Sequence, residues 1–360
     1  MTRLRLGLIG CGGMGSRHAE GFDRLDNRVR VTVAVDIEPR RARAVADQFP
    51  GCRAATDYRA VLDDVDGVLI ALPHRLHHPA ARFFLNAGKH VLLEKPMATT
   101  ENDCLDLIAA SQRANRVLMT AYVMRFNPLV IRMKELLDQR AYGDVFQVSI
   151  WTEQYTRLPR PDGLTTVAWL GGGQLFSHGC HYIDILLWFL GRPVRGTHLG
   201  TNSGTPWMER EGTSHVTIEF DSGALGYHFG TWGARGTKLG YSFQAHGTDG
   251  MLEIDFTNGQ LLAHMQLRGE ESVETRTEVL LDATADHKPG ATGTVRTELG
   301  RLARIGELSH FLDCVETGGR PLTDGPGSLQ GLRLIWRLYA AEEHSVVADL
   351  RGLGLDEYRD

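Results

Sequence analysis

Leu4-Arg5-Leu6-Gly7-Leu8-Ile9-Gly10-Cys11-Gly12-Gly13-Met14-Gly15 stands at the head of the chain, and Val29-Arg30-Val31-Thr32-Val33-Ala34-Val35-Asp36 follows it after an amphipathic run. An apolar strand enters Gly-x-Gly-x-x-Gly, a helix follows, and a second strand ends in an acid 21 positions beyond Gly15. The whole arrangement, more than the glycines alone, is the fingerprint of a dinucleotide-binding βαβ unit. Gly10 permits the tight turn out of the strand, Gly12 leaves bare backbone for a pyrophosphate, and Gly15 lets the helix approach the sheet. The helix start offers N–H groups to phosphate. Asp36 is placed to accept from the adenosine ribose hydroxyls and to repel a 2′-phosphate, so NAD is expected and NADP disfavoured. Arg40 and Arg41, close behind, offset part of that repulsion. The expected cofactor contacts here are Gly10, Cys11, Gly12, Gly13, Met14, Gly15, Asp36 and Arg40.

Outward from this segment, 360 residues suffice for two domains. The 42% hydrophobic content suits a globular core, and the net charge of −5, with no basic block, argues against nucleic acid as a partner. The first strand is entered by Leu4, so no secretory leader is expected. Ile183–Gly191 is apolar but too short for a membrane span, and reads as a buried helix. The five cysteines are odd in number and scattered, without disulfide or zinc spacing. The expectation is a reduced, cytoplasmic protein with no membrane partner.

The first third alternates strand and helix patterns, as a doubly wound parallel sheet requires. Strands are expected at Arg5–Ile9, Val29–Val35, Gly67–Leu72, His90–Leu93 and Val117–Ala121, with a short one near Arg53. Helices are expected at Pro39–Phe49, Pro79–Ala87 and Thr99–Asn115. After about Tyr122 the texture changes. A linking helix over Phe126–Gln139 leads to alternating segments at Val145–Trp151, Ser214–Phe220, Ala224–Trp232, Tyr241–Ala245 and Leu252–Phe256, then helices at Glu298–Glu316 and Ser328–Glu343. Asp282–Thr294 reads as a loop. The expected architecture is α/β: an N-terminal Rossmann doubly wound parallel sheet over 1–123, then a C-terminal α+β domain over 124–360 with a largely antiparallel open sheet for substrate binding and oligomerisation.

A second signature follows. Ala71-Leu72-Pro73-His74-Arg75-Leu76-His77-His78 leaves one strand, and Gly88-Lys89-His90-Val91-Leu92-Leu93-Glu94-Lys95-Pro96 contains the next. Ligands of open parallel sheets bind beyond the strands' carboxyl ends. Leu72, Pro73, His77, Glu94 and Lys95 are therefore further expected cofactor contacts, with Lys95 at the nicotinamide end and directed by Pro96. His74, His77 and His78 could share a helical face, but no thiolate or carboxylate neighbours them in the sequence. No metal is expected; His77 reads as a ligand contact and His78 as surface packing.

Further pieces are Arg125-Phe126-Asn127-Pro128, Gly171-Gly172-Gly173 with Gly179, His181 and Asp184, and Pro321-Leu322-Thr323-Asp324-Gly325. With these, the chain resembles, over essentially its whole length, the glucose–fructose oxidoreductase / inositol dehydrogenase / rhizopine-catabolism (Gfo/Idh/MocA) family. The resemblance implies a dehydrogenase of sugars, inositols or related polyols, with homodimers or homotetramers. It makes Lys95 the catalytic lysine and His181 the second active-site residue. The family pattern carries an acid four positions before that histidine; here the position is Ser177, followed by His178, so Ser177 and His178 are candidates for a proton relay. A histidine titrates near neutral pH and can take or return a hydroxyl proton, while Lys95 can polarise the reacting oxygen.

Arg125, Trp151, Tyr155, Arg157, Trp169 and His178 offer the aromatic faces and hydrogen-bonding groups that polyols use. The stretch from Trp151 to Arg157 reads equally well as an edge strand at an oligomer interface. Two other readings stay open. One is an enzyme that retains NAD, for a transient oxidation or for shuttling hydride between substrates. The other is a regulatory protein that binds the dinucleotide without turnover, which Ser177 in place of the acid would favour.

Overall fold

Leu6, Leu8 and Ile9 are essentially inaccessible to solvent, because their strand is covered on both faces, as parallel sheets are. In a computed structural model that describes residues 3–25, 27–156, 165–268, 273–283 and 295–354, this strand, β1 (Leu4–Ile9), lies inside a six-stranded parallel sheet. The others are β2 (Val29–Val35), β3 (Arg53–Ala55), β4 (Gly67–Ile70), β5 (His90–Glu94) and β6 (Leu118–Ala121), in the order β3-β2-β1-β4-β5-β6. The strand order reverses between β1 and β4, the switch point at whose carboxyl edge such sheets bind dinucleotides.

Helices α1 (Gly13–Ala19), α2 (Pro39–Ala46), α3 (His77–Asn86) and α4 (Glu101–Ala114) connect these strands. Their ends follow local chemistry. Pro39 starts α2. Thr100 caps α4 by accepting from Asp103 N at 3.2 Å, and left-handed Asn115 ends it. The helix expected from Pro79 begins at His77.

The chain divides into two compact units. The first comprises Met1–Val123, Ala168–Gly171 and Arg301–Gln330; the second comprises Met124–Val167, Gly172–Gly300 and Gly331–Asp360. The late segment around Asp324 belongs with the first unit because it adds backbone bonds to β6. Thr120 N donates to Thr323 O at 2.8 Å, beside an antiparallel bridge from Met119 to Asp324.

The second unit holds a nine-stranded sheet: β7 (Val145–Glu153), β8 (Pro193–Thr201), β9 (Thr213–Phe220), β10 (Leu225–Thr231), β11 (Tyr241–Gly247), β12 (Met251–Asp255), β13 (Gln260–Arg268), β14 (Val273–Asp282) and β15 (Ala348–Asp349). Its order is β14-β13-β12-β11-β7-β10-β9-β8-β15. Every pairing is antiparallel except β7 with β10. Of the remaining helices, α5 (Pro128–Asp138) and α7 (Cys180–Leu190) lie in this unit, the single turn α6 (Val167–Leu170) and α8 (Val295–Thr317) fall mostly in the first, and α9 (Gly325–Glu343) mostly in this one. Residues 180–186 are buried on every side, so α7 is a core helix rather than an amphipathic one. Of the expected Asp282–Thr294 loop, residues from 284 onward lie outside the described residues.

Candidate active site

The glycine loop is shaped by what it excludes. Gly10 has φ +95°, and a Cβ there would overlap the Ala71 carbonyl. A Cβ on Gly15 would overlap the Gly10 carbonyl, so α1 lies against the strand end as only glycine allows. An added Cβ at Gly12 or Gly13 would meet nothing within 4 Å, which leaves an open backbone cradle. Asp36 closes it: Oδ2 accepts from Cys11 N and Oδ1 from Glu38 N, both at 2.9 Å. Each oxygen keeps a lone pair for a ribose hydroxyl. This donor set fits a dinucleotide. Burial, with Asp36 nearby, pushes the Cys11 thiol up to about 12, so it packs as a neutral group. Leu72 lies against the same loop, its Cδ2 3.1 Å from where a Gly10 Cβ would sit. Met14 is partly covered and Arg40 is exposed on α2. Ile37 is 86% exposed directly after Asp36. Its signal in the sequence is an apolar residue directly beside the acid, which the motif itself does not specify.

The ends of β4 and β5 carry the second signature. Glu94 is buried; its Oε1 lies 2.8 Å from His18 Nε2 of α1, and its Oε2 accepts from Lys95 N at 3.2 Å. Burial alone would raise the Glu94 carboxyl, but the His18 bond and the charges of His18 and Lys95 hold it below its ordinary value. The helix after the glycine loop is thus tied to the loop that presents Lys95, which is partly exposed.

His77 is not where a ligand contact was expected. It is 0% exposed, with Nδ1 2.8 Å from Pro96 O and Nε2 2.8 Å from Leu72 O. Burial lowers its pKa. The enclosed ring is a strut between the two loops rather than a surface facing a ligand. His78 finds carboxylates the sequence spacing concealed, Asp106 at 2.8 Å and Asp103 at 3.4 Å, both from α4. His74 Nδ1 lies 2.9 Å from Leu170 O, and burial, His77 and Lys95 together lower its pKa to about 3. The neighbouring Trp169 sits under the Arg75 guanidinium, 5.6 Å from the ring centroid. Among the described residues no three His, Cys, Asp or Glu side chains group as metal ligands.

In the second unit, residues Leu175–Gly179 form a π-helical turn that runs into α7. Such turns often mark functional positions. Ser177 and His181 are buried, at 6% and 7% exposure. The His178 and His181 rings meet edge to face at 6.2 Å. His178 is enclosed by Gln174 Nε2 at 3.4 Å from Nδ1, and by Tyr241 Oη and Tyr182 Oη at 3.2 and 3.4 Å from Nε2. Tyr241 donates to Gln154 Oε1 at 2.7 Å. Burial raises the pKa of both tyrosines, so both hydroxyls stay protonated. Tyr241 and Tyr182 were missed because they converge on His178 only through the fold, whereas Gln154, bonded to Tyr241, lies in the expected stretch from Trp151 to Arg157.

Two expected substrate contacts are corrected. Trp151 packs on Tyr227 and Phe229 at 5.3 and 5.4 Å, whereas His228, between those two, stacks on Tyr182 of α7 at 5.1 Å. Strand side chains alternate faces, so Trp151 lies on the face turned away from α7 and His181. Arg125 is engaged by Asp184, with Nε and Nη2 at 2.7 and 2.8 Å, and covers Trp188 at 4.7 Å. Two of its five donors are thus taken by α7. Tyr155 is 56% exposed and bridges to Gly233. Arg157 lies outside the described residues.

Residues 4–122 match the model of the oxidoreductase family with an NAD-binding Rossmann fold, and residues 130–253 match the GFO/IDH/MocA C-terminal domain. A 1-carboxy-3-chloro-3,4-dihydroxycyclohexa-1,5-diene dehydrogenase of Comamonas testosteroni is 35% identical, over 61% of this chain and 56% of its own. Inositol 2-dehydrogenase 2 of Saccharopolyspora erythraea is 30% identical, over 62% and 65%. The matched part thus spans less than two thirds of either relative. A levoglucosan dehydrogenase solved with NADH and L-sorbose superposes with a TM-score of 0.84, covering 97% of this chain and 99% of that one at 21% identity, which establishes the shared fold. Sequence, sheet order and the glycine–acid cradle agree: the chain belongs to the GFO/IDH/MocA family of NAD-binding oxidoreductases.

Proposed function

We propose that the protein is an NAD-dependent dehydrogenase that oxidises a secondary hydroxyl on a sugar, inositol or related ring to the ketone, or reduces the ketone in reverse. The observation that carries this is Lys95, held at the end of β5 by Glu94 and His18, in the same unit as the open glycine cradle. When bound, NAD supplies the hydride acceptor. Gly12 and Gly13 would hold its pyrophosphate, Asp36 would accept from the ribose, and Ile37 would cover the adenine. Lys95 donates a hydrogen bond to the reacting oxygen, and His181 takes the hydroxyl proton. His178, with Tyr241 and Tyr182 on it, relays that proton onward; Ser177 lies one turn before His181. Tyr155, Trp169 and Arg157 remain candidates to contact substrate.

The relatives' names point to hydroxylated rings, one of them carboxylated. The outer face with Trp151, Tyr227 and Phe229 suits self-association into a dimer or tetramer. The five free thiols suit a reducing cytoplasm.

The test is appearance of the reduced-nicotinamide band on mixing protein with NAD or NADP and a panel of inositols, aldoses, sugar acids and carboxylated cyclic diols. A signal with NAD that Lys95→Ala and His181→Ala each abolish is expected. Near-normal rates in both variants would refute the assignment. Binding of NAD with silence across the panel would favour the regulatory reading that Ser177 suggests. Reduced cofactor copurifying with the protein would favour the retained-NAD one.

A further inference from the structure

The helical run that carries Ser177, His178 and His181 has no local cap, since Gly171-Gly172-Gly173 precedes it. The first N–H groups of a helix have no partner within it. Here two distant residues meet all four. Gly173 N and Phe176 N donate to Tyr339 Oη at 3.2 and 3.3 Å, Leu175 N donates to Glu211 Oε1 at 3.1 Å, and Gln174 N donates to the Glu211 carbonyl at 2.8 Å. The internal ladder begins only at Ser177 N, which donates to Gly173 O at 3.0 Å.

Glu211 and Tyr339 are themselves locked together. Tyr339 Oη donates to Glu211 Oε1 at 2.7 Å, and Ser214 Oγ adds a bond at 3.4 Å. Burial, and then the Glu211 carboxylate, raise the Tyr339 pKa well above its ordinary value, so its hydroxyl remains a donor. Glu211 is 6% exposed, and a Cβ on either Gly173 or Gly200 would press into its side chain. The Arg210 guanidinium lies 3.7 Å from the Tyr339 ring centroid, with Nε 3.5 Å from Glu211 Oε2. A buried carboxylate at a helix start is favoured by the exposed N–H groups there. So many bonds converging on one short segment fix its place along the helix axis, not merely its stability.

We propose that Glu211 and Tyr339 are positioning residues that set the place of the 173–181 run and so hold His181 against the reacting hydroxyl. This rests on the reading that His181 handles the hydroxyl proton. A displacement of about 1 Å can cost about 100-fold in rate, which is within reach of a helix that has lost its end bonds.

The experiment compares Tyr339→Phe, Glu211→Ala and Glu211→Gln for kcat, KM for NAD and amide exchange over residues 173–181. Tyr339→Phe and Glu211→Ala are expected to lower kcat by about 10- to 100-fold and to open amides to exchange, 173 and 176 in the first and 175 in the second. KM for NAD should stay within about twofold, because the glycine cradle is untouched. Glu211→Gln keeps an acceptor oxygen and should recover most of the rate. If Glu211→Ala fails to fold, Tyr339→Phe and Glu211→Gln decide. Lowered thermal stability with kcat unchanged in Tyr339→Phe would overturn the proposal, as would loss of kcat and of NAD binding in parallel. Wild-type turnover that survives His181→Ala would overturn the underlying reading instead, and that comparison tells the two failures apart.

Discussion

Asp36 accepts the Cys11 and Glu38 amides at the edge of the glycine loop, and the proposed ribose contact would use its remaining lone pairs. Hydrogen bonds to a charged group contribute about 1.5–3 kcal/mol, so Asp36→Ala is expected to weaken NAD binding about 10- to 100-fold. It should also narrow the preference over NADP, read from KM values for the two cofactors. An unchanged NAD/NADP ratio would remove Asp36 from the ribose. Gly15 was legible from spacing alone because the motif is contiguous, and the Gly10 carbonyl supplies the reason. Gly15→Ala should cost about 1–3 kcal/mol from overpacking, measured by urea unfolding, and raise the KM for NAD. His77 and Tyr241 were misread or unseen for the opposite cause. Their partners lie 19 and 63 positions away in the chain, and a sequence shows residue types, not which distant backbone will enclose them.

Elements were legible where burial imposes a period. β1, β2, β4 and β5 are apolar enough to be read directly, and α7 was foreseen as a buried helix from its apolar run. β14, with Glu274, Thr275, Arg276, Thr277 and Glu278, carries no apolar alternation over that stretch; pairing with β13 makes it a strand. The π turn at Leu175–Gly179 has no sequence period of its own, since it arises where tertiary bonds fix the start of the run. Arg125 illustrates the same limit: its residue type suggested a ligand, but Asp184 takes it. The pair is nearly enclosed, at 14% and 6% side-chain exposure. Arg125→Met leaves a buried carboxylate without its cation and should destabilise the second unit by about 3–5 kcal/mol. Denaturant unfolding checks this, and a loss below about 1 kcal/mol would mean the pair is a surface-like contact.

For the whole molecule, the two sheets were foreseen with the correct strand direction in each, because a chain that alternates strand and helix builds a parallel sheet and one that strings strands together builds an antiparallel one. Acid sensitivity follows from imidazoles that the fold encloses in whole or in part. Burial lowers His228 and His74 to about 3 and His90 to about 4. Each binds a proton in the unfolded chain below its ordinary 6.5 but not in the folded one. Their stabilisation is therefore complete above that value and is lost as pH falls towards 3–4. Melting temperature should fall steadily through this window, and a flat profile would show that these rings are not enclosed in solution. On the sheet face turned away from α7, Trp151→Glu should convert the expected oligomer to monomers in light scattering; a wild-type monomer would leave that face without a self-association role.

In the proposed function Lys95 serves the chemistry while the glycine cradle serves the cofactor. The most direct test is to measure NAD affinity by quenching of tryptophan fluorescence, and turnover with a responsive substrate, in wild type and Lys95→Met. Affinity should stay within about threefold of wild type and turnover should fall by at least about 1000-fold. Turnover close to wild type in Lys95→Met, with NAD bound equally well, would contradict this.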